Sequence, residues 1–175
     1  MILSDASILE HLNKDIFISP FDETKLNPNS YNLTLNKNLI CYNKKVLDSA
    51  EYNPFHSFEI PEEGLKLRPG WLYLARTNEW TETHNFVPML EGRSSIGRLG
   101  LSIHVTAGFG DVGFAGYWTL ELSCVQPLII YPNMEIAQIY YLYLDKPPLA
   151  EYNGKYQNQN GVIPSKMYFD FLSKT

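Results

Sequence analysis

The sequence of 175 residues predicts a single, mainly β domain. Tyr, Phe, Val, Ile and Thr recur in short runs, and aromatic residues reach 14% of the chain, which is typical of strands. The runs follow one another roughly every eight to twelve residues with turn residues between them, which indicates a sandwich, a jelly roll or a distorted barrel. With 45% hydrophobic residues the chain can bury one sizeable core, so residues 1–175 are expected to form one domain.

The chain is expected to begin with a short helix. Ser4 is suited to cap it, and Ile8, Leu9 and Leu12 form an apolar side that would pack onto the domain. The cluster at residues 27–30 predicts a turn or loop, and the alternation along residues 31–35 predicts a strand.

Runs of strand type separated by turn signals fill the middle of the chain. Arg68-Pro-Gly70 is a turn signal between the runs at 65–67 and 71–75. Further plausible strands are 86–90, 101–105, 117–123, 127–131 and 136–144. Residues 36–64 are expected to hold loops and short strands. The polar and aromatic tail at 151–175 is expected to be an arm rather than part of the core.

The charge pattern limits the classes of partner. The net charge is -5 and no basic run or stripe occurs, which argues against a nucleic-acid-binding module. An anionic ligand would have to be held by a few well-placed groups. Cys41 and Cys124 are far apart and lack CxxC spacing, so free thiols in a reducing compartment are expected. No apolar run of roughly 18 residues and no signal peptide is visible, and we expect a cytoplasmic protein without a membrane span.

The stretch from Leu90 to Gly100 is dense in groups that suit an anion. Arg93 and Arg98 are two of only four arginines in the chain, and two serines lie between them. Guanidinium groups, hydroxyls and flexible backbone N–H groups beside glycines suit phosphate oxygens. An ordinary solvated turn with structural ion pairs is the alternative, and the residues alone leave both interpretations open. The stretch is neither a Walker A loop nor a nucleophile elbow.

Glu121 lies in the middle of a predicted strand. Alternation places it on one face with Tyr117 and Thr119, and it places Trp118 and the flanking leucines on the other. Such a carboxylate is more often on a solvated face than in a site. If this face lines a pocket, burial would raise the pKa of the carboxyl and suit it to proton transfer near neutral pH.

Other polar residues have plainer interpretations. Asp111 could cap a turn or accept a sugar hydroxyl, and the turn is favoured without further information. His104 alternates with apolar neighbours, so a satisfied structural histidine is favoured over a catalyst. The histidines and cysteines form no metal-ligand cluster, and the sequence pattern of zinc deaminases is absent, so no protein-bound zinc is expected.

Several spaced motifs resemble the dCTP deaminases of the dUTPase-like superfamily. They are Glu91-Gly-Arg-Ser-Ser-Ile-Gly-Arg-Leu-Gly-Leu101, His104-Val-Thr-Ala-Gly108, Asp111-x-Gly-Phe-x-Gly116 and Thr119-Leu-Glu121. The resemblance extends to the first five residues, to residues 27–33 and 67–70, and to the tail at 154–161. It is weakest over 36–64. It implies a distorted β-barrel or jelly roll of the dUTPase-like type, with a short N-terminal helix and a C-terminal arm at 151–175 that closes over the nucleotide.

The resemblance also implies roles for named residues. Glu121 would be the general base and acid, acting on a water held by Ser94 and the backbone around Ala107, while Arg98 would support the developing charge. Substrate-binding residues implied in the same way are Arg93, Ser95, Thr106, Asp111, Phe114, Gln138, Tyr152, Lys155 and Gln159. No metal is bound by the protein in such enzymes, and Mg²⁺ would arrive on the nucleotide triphosphate.

The expected activity is hydrolytic deamination of dCTP to dUTP and ammonia. One alternative is the bifunctional variety, which also cleaves the triphosphate and releases dUMP and pyrophosphate. Another is a nucleotide-binding module without catalysis, and a dUTPase without deaminase activity is disfavoured because Glu121 belongs to the deaminating branch. The resemblance further implies a homotrimer with active sites between subunits, and dTTP as a possible inhibitor.

Three features depart from the family pattern. Gly110 replaces a usual isoleucine, Asn32 stands where an aspartate often lies, and residues 124–126 form a shortened turn. We expect the first and last to alter pocket shape or subunit packing.

Overall fold

The computed structural model describes residues 1–172. The strands are β1 (Ile16–Ser19), β2 (Leu26–Asn27), β3 (Ser30–Thr34), β4 (Asn38–Tyr42), β5 (Phe55–Glu59), β6 (Leu65–Leu67), β7 (Tyr73–Thr83), β8 (Phe86–Gly92), β9 (Leu101–Ser102), β10 (Ala115–Cys124), β11 (Leu128–Ile130) and β12 (Glu135–Tyr143). The helices are α1 (Asp5–His11), α2 (Ser94–Gly97), α3 (Phe169–Leu172) and a 3-10 turn at Glu23–Lys25.

The strands form three antiparallel sheets. Six strands make the largest sheet, in the order β5-β4-β7-β10-β9 with β1 also paired to β7. Four strands make the second in the order β2-β3-β12-β8, and β11 pairs with β6 in the third. The mainly β fold class is confirmed, and the sheets are not closed into one continuous barrel.

The helix at the N-terminus follows its sequence signal. The Ser4 hydroxyl accepts a hydrogen bond from the backbone N–H of Ser7, which satisfies one of the free donors of the first turn. Ile8 is fully buried on the apolar side of α1, as predicted, whereas Leu9 is 41% exposed and Leu12 follows the last residue of the helix. In the described residues, no helix is long and apolar enough to span a membrane.

One sequence prediction is confirmed and another needs correction. The predicted turn at Arg68–Gly70 lies between two strands as expected, and these strands belong to different sheets, because β6 pairs with β11 while β7 pairs with β10 and β4. The strand predicted at 101–105 ends at Ser102, where pairing with β10 stops. After a last hydrogen bond between the Glu121 N–H and the Ile103 carbonyl, the segment turns to β8, where the Leu90 N–H donates to the Gly108 carbonyl and the Gly110 N–H donates to the Pro88 carbonyl.

The core lies between the large sheet and the four-stranded sheet. Fully buried side chains from both contribute, among them Leu33, Ile139, Leu120 and Leu122. Burying such aliphatic groups supplies the dominant favourable term in folding. The other face of the large sheet remains available to bind a ligand.

The two main sheets are also joined by a buried polar contact. The Glu79 carboxylate on β7 accepts hydrogen bonds from the backbone N–H and the hydroxyl of Thr34 on β3, both at 2.8 Å. The Lys25 ammonium lies 2.9 Å from the same carboxylate. Glu79 is fully buried, so its charge is compensated by these partners alone within the described chain.

Candidate active site

A cavity of about 530 Å³ lies on the face of the large sheet that is turned away from the core. In this face β7 and β10 place Leu74 opposite Glu121 and Arg76 opposite Thr119. Leu120 and Leu122 are fully buried on the core side, whereas Glu121 is partly accessible. The predicted alternation is confirmed from Thr119 to Ser123, whose polar face lines the cavity rather than open solvent. It is wrong at Trp118, because a register shift between Tyr117 and Thr119 brings the Trp118 ring to the cavity as well.

Seven of the residues singled out from the sequence line this cavity. They are Thr106, Ala107, Asp111, Phe114, Glu121, Tyr152 and Gln159. Phe114 packs against Trp118 with the ring centroids 5.0 Å apart and against Tyr152 at 6.2 Å. The cavity therefore combines an aromatic wall with two carboxylates, Asp111 and Glu121, a combination suited to a ligand with a planar ring and hydroxyl groups.

Glu121 is held in a setting that favours its neutral form. Burial raises the pKa of its carboxyl above the ordinary value, and nearby His104 opposes this shift. The backbone N–H of Glu121 donates to the Ile103 carbonyl at 2.6 Å, which fixes the strand at this point. In the described chain the buried Thr119 hydroxyl has no hydrogen-bond partner, so it can pair with a ligand. Thr119 lies in a recognisable motif, but no pattern in the sequence marks it as a binding residue.

His104 has one ring nitrogen satisfied and one not. Its Nε2–H donates to the Leu90 carbonyl at 2.7 Å, while buried Nδ1 lacks a partner among the residues described. Gly108 makes this arrangement possible, since a Cβ there would lie 2.5 Å from the Leu90 oxygen and would overlap the imidazole. The structural role expected for His104 therefore explains the hydrogen bond of Nε2 but not the buried, unpartnered Nδ1.

The surroundings of Gly110 explain why a glycine stands at this position instead of the usual isoleucine. A Cβ on Gly110 would lie 2.5 Å from the Trp118 ring and 2.9 Å from the Pro88 carbonyl oxygen. Trp118 thus fills the space that a side chain at 110 would need, and both residues line the cavity. The pair sets the width of the cavity beside Asp111.

The remaining residues singled out from the sequence lie elsewhere in the described chain. They are Arg93, Ser94, Ser95, Arg98, Gln138 and Lys155, none of which lines the cavity. Ser94, Ser95 and Arg98 are exposed in and beside α2. Gln138 lies on β12 opposite Glu91 of β8. In a single chain the candidate site is therefore divided into a cavity group, a surface group in and beside α2, and two separate residues, Gln138 on β12 and Lys155 in the arm.

Arg93 forms an ion pair with a carboxylate of the same chain. Its guanidinium forms an ion pair with Glu135, whose Oε2 also accepts a hydrogen bond from the Asn32 amide at 3.1 Å. Asn32 in turn accepts a hydrogen bond from Asn27 at 2.8 Å. An aspartate at position 32 would place a second carboxylate against Glu135, so the asparagine suits this neighbour.

The arm crosses the start of β10 and covers the cavity. Backbone N–H groups of Tyr152 and Asn158 donate to Val112 and Ala115 at 2.8 Å, and the Gln159 amide donates to the Tyr117 carbonyl at 2.5 Å. Lys155 is paired with Asp170 of α3 at 2.5 Å, and this contact raises the pKa of its ammonium. The predicted arm extends to Thr175, and its last three residues lie outside the described residues.

Two tyrosines are among the cavity-lining residues that were not singled out from the sequence. They are Tyr42 at the end of β4 and Tyr156 in the arm. Tyr42 lies within 36–64, where no motif was recognisable, and no local signal could have marked it. Among the described residues, no group of three or more His, Cys, Asp or Glu side chains is placed to hold a metal ion.

Comparisons with a family model and with individual proteins indicate the same family. A family model described as dCTP deaminase-like matches residues 2–143. The chain is similar to a protein named dCTP deaminase, dUMP-forming, from Clostridium botulinum (strain Eklund 17B / Type B), with 61% identity over 171 residues, 98% of this chain and 99% of that one. A protein of the same name from Cytophaga hutchinsonii is 55% identical over 98% of this chain and 99% of its own.

Among solved structures, 2'-deoxycytidine 5'-triphosphate deaminase from Agrobacterium tumefaciens shares the fold, with a TM-score of 0.62 and 19% identity. The match covers 80% of this chain and 47% of that chain, so this chain spans about half its length.

The expectation that dUTP is the end product is wrong. Relatives that are 55–61% identical over almost the whole chain are named as dUMP-forming, which supports the bifunctional alternative. The motifs could not separate the two, because both varieties share the residues that deaminate.

Proposed function

Because this chain belongs to the dCTP deaminase-like family, we propose that it converts dCTP and two water molecules into dUMP, pyrophosphate and ammonia. The observation that carries the proposal is the half-buried carboxyl of Glu121, placed on the wall of a cavity that also holds Asp111 and an aromatic side chain, Phe114. We treat residues 1–175 as one functional unit, with 151–175 as its arm.

Glu121 would act as the proton carrier in deamination. A carboxyl whose pKa is raised by burial can accept a proton from water and release it again near neutral pH. The resulting hydroxide attacks C4 of the cytosine, and Glu121 passes the proton to the departing amine. The backbone around Ala107, which lines the same cavity, would help to hold the attacking water together with Ser94.

The cavity residues would bind the nucleoside and the arm would meet the triphosphate. Asp111 accepts a deoxyribose hydroxyl, and Phe114 packs beside the sugar. The other residues proposed to contact substrate are Thr106, Gln138, Tyr152, Lys155 and Gln159, with Arg93 and Ser95 on the phosphates. Mg²⁺ would be bound through the triphosphate and would neutralise part of its charge.

A complete site would need a second copy of the chain. Ser94 and Arg98 are proposed to act on the same substrate as Glu121, yet they are exposed and outside the cavity. Val105 and Phe109 beside the cavity are 80% and 65% exposed, which suits a surface that another subunit covers. We propose a homotrimer with interfacial sites, and dTTP as an inhibitor that competes for them.

The test is a product assay with dCTP and Mg²⁺. We expect dUMP, pyrophosphate and ammonia in equal amounts. Accumulation of dUTP as the final product would refute the second hydrolysis, and unchanged dCTP would favour a nucleotide-binding module without catalysis.

Glu121→Gln tests the role of the carboxyl. The variant should retain nucleotide binding, measured by calorimetry, and lose at least a hundredfold in the rate of ammonia release, because general acid–base catalysis contributes about that much or more. Glu59→Gln makes the same chemical change on the exposed strand β5 and should leave activity unchanged. Substantial turnover by Glu121→Gln would contradict the mechanism.

A further inference from the structure

We propose that Tyr42 is a positioning residue that holds the arm closed over the cavity and so keeps the deaminated nucleotide bound until its triphosphate is cleaved. This inference rests on the proposed function. The carrying observation is one hydrogen bond, in which the backbone N–H of Ser165 in the arm donates to the Tyr42 hydroxyl at 2.9 Å.

Tyr42 lies on the same face of the sheet as the proposed catalytic carboxyl. Ile40 on β4 is directly opposite Leu74 on β7, and Leu74 is opposite Glu121 on β10. Because alternate residues of a strand share a face, Tyr42 points to the same side as these three. Burial raises the pKa of its phenol, so the hydroxyl remains protonated while it accepts from Ser165.

The ring of Tyr42 also separates two spaces. Together with Leu72 it lines both the cavity and a neighbouring cleft of about 420 Å³, which is bordered by Lys44, Lys45 and Trp71. Ser165 lines the cavity from the arm. The bond between Tyr42 and Ser165 therefore closes the cavity on the side of this cleft, and its loss would open that side.

The contact can be removed without dismantling the arm. Two other phenols hold arm backbone independently: the Tyr156 hydroxyl accepts from the N–H of Lys166 at 2.9 Å, and the Tyr152 hydroxyl accepts from the N–H of Tyr156 at 3.2 Å. The loss of one neutral hydrogen bond should reduce the ratio of closed to open arm by a factor of about three to ten.

Closure matters for this chemistry because the reaction has two hydrolytic steps. Deamination replaces the C4 amine by oxygen and releases ammonia, while the sugar and all three phosphates stay unchanged. Cleavage between the α- and β-phosphates then consumes a second water. The intermediate, dUTP, has the same triphosphate and sugar as dCTP. Contacts to those groups therefore bind dCTP and dUTP equally and cannot by themselves retain the intermediate. Retention then depends on whether the arm opens between the steps.

The experiment measures how much intermediate escapes. Labelled dCTP is turned over with Mg²⁺ in the presence of excess unlabelled dUTP, which prevents labelled dUTP from rebinding, and the label in dUTP and dUMP is compared. For Tyr42→Phe we expect a three- to tenfold rise in label recovered as dUTP. The KM for dCTP should rise by a similar factor, with little change in the kcat of ammonia release.

Tyr73→Phe is the matched control. The Tyr73 hydroxyl also accepts one backbone N–H, from Arg68 at 3.1 Å, but it belongs to the core side of the sheet. This variant should partition the label as the unaltered protein does.

Ser165→Pro removes the donor of the same bond and should reproduce the Tyr42→Phe result if the bond is responsible. Unaltered partitioning in both variants, with thermal unfolding unchanged, would overturn the proposal. Absence of ammonia release from the unaltered protein would instead refute the proposed function.

Discussion

Replacing Glu79 by Gln tests the contact that joins the two main sheets. The carboxylate is fully buried and bonds the Thr34 N–H, the Thr34 hydroxyl and the Lys25 ammonium at 2.8, 2.8 and 2.9 Å. Glutamine keeps the shape, so no cavity forms. The glutamine NH₂ group, however, replaces one accepting oxygen and would face a group that is itself a donor in the native protein. Lys25 also loses its counter-charge.

The expected cost follows from this geometry. Removing one partner of a buried ion pair costs roughly 3–5 kcal/mol. The Lys25 side chain is 20% exposed, so water offsets part of the loss and we expect about 3 kcal/mol. For a domain of this size 1 kcal/mol shifts Tm by roughly 2–4 °C, which predicts a decrease of roughly 6–12 °C.

Urea and thermal unfolding at neutral pH provide the measurement. Glu59→Gln is the control, because its ion pair with Lys37 is more than half exposed on both sides and is worth at most about 1 kcal/mol. A loss for Glu79→Gln no larger than for Glu59→Gln would refute the reasoning about burial.

Two other ionic contacts make further predictions. The pKa of His84 is raised above 6.5 by Glu151 and then by Glu82, against the effect of burial, with Asp15 also nearby. Its stabilising contribution is full below pH 6.5 and is lost as pH rises through the folded-state pKa. His84→Gln should therefore lower Tm more at pH 6 than at pH 9, and an equal loss at both would contradict this. Asp170→Asn should release Lys155 for the triphosphate and lower the KM for dCTP up to about fivefold, because the pair is exposed; a raised KM in steady-state kinetics would show that Asp170 helps binding.

Local patterns in the sequence were enough to predict the main strands and the face that carries Glu121. Alternation along 117–123 depends only on strand geometry, and the cap at Ser4 depends only on its own helix. Pairing partners depend on distant residues, so the turn signal at 68–70 predicts the two flanking strands but not the different sheets to which they belong.

The cavity was predicted in part. Glu121, Asp111 and Phe114 lie in recognisable motifs, and all three line it. Tyr42 also lines the cavity but lies in no recognisable motif. Its position near Glu121 results from the pairing of β4 with β7, which no nearby residue encodes. The separation of Ser94 from the cavity is likewise a property of the folded chain and not of the motif.

The arm is fastened to β10 and its neighbours mostly by individual hydrogen bonds, whereas the sheets beneath share a continuous apolar core. Each such bond is worth only about 1 kcal/mol, and ordering a residue costs a comparable entropy, so detachment of the arm has a small free-energy change that falls with temperature. Warming would release the cover while the sheets stay folded. We therefore expect catalysis to be lost on warming at a temperature below the Tm of the domain.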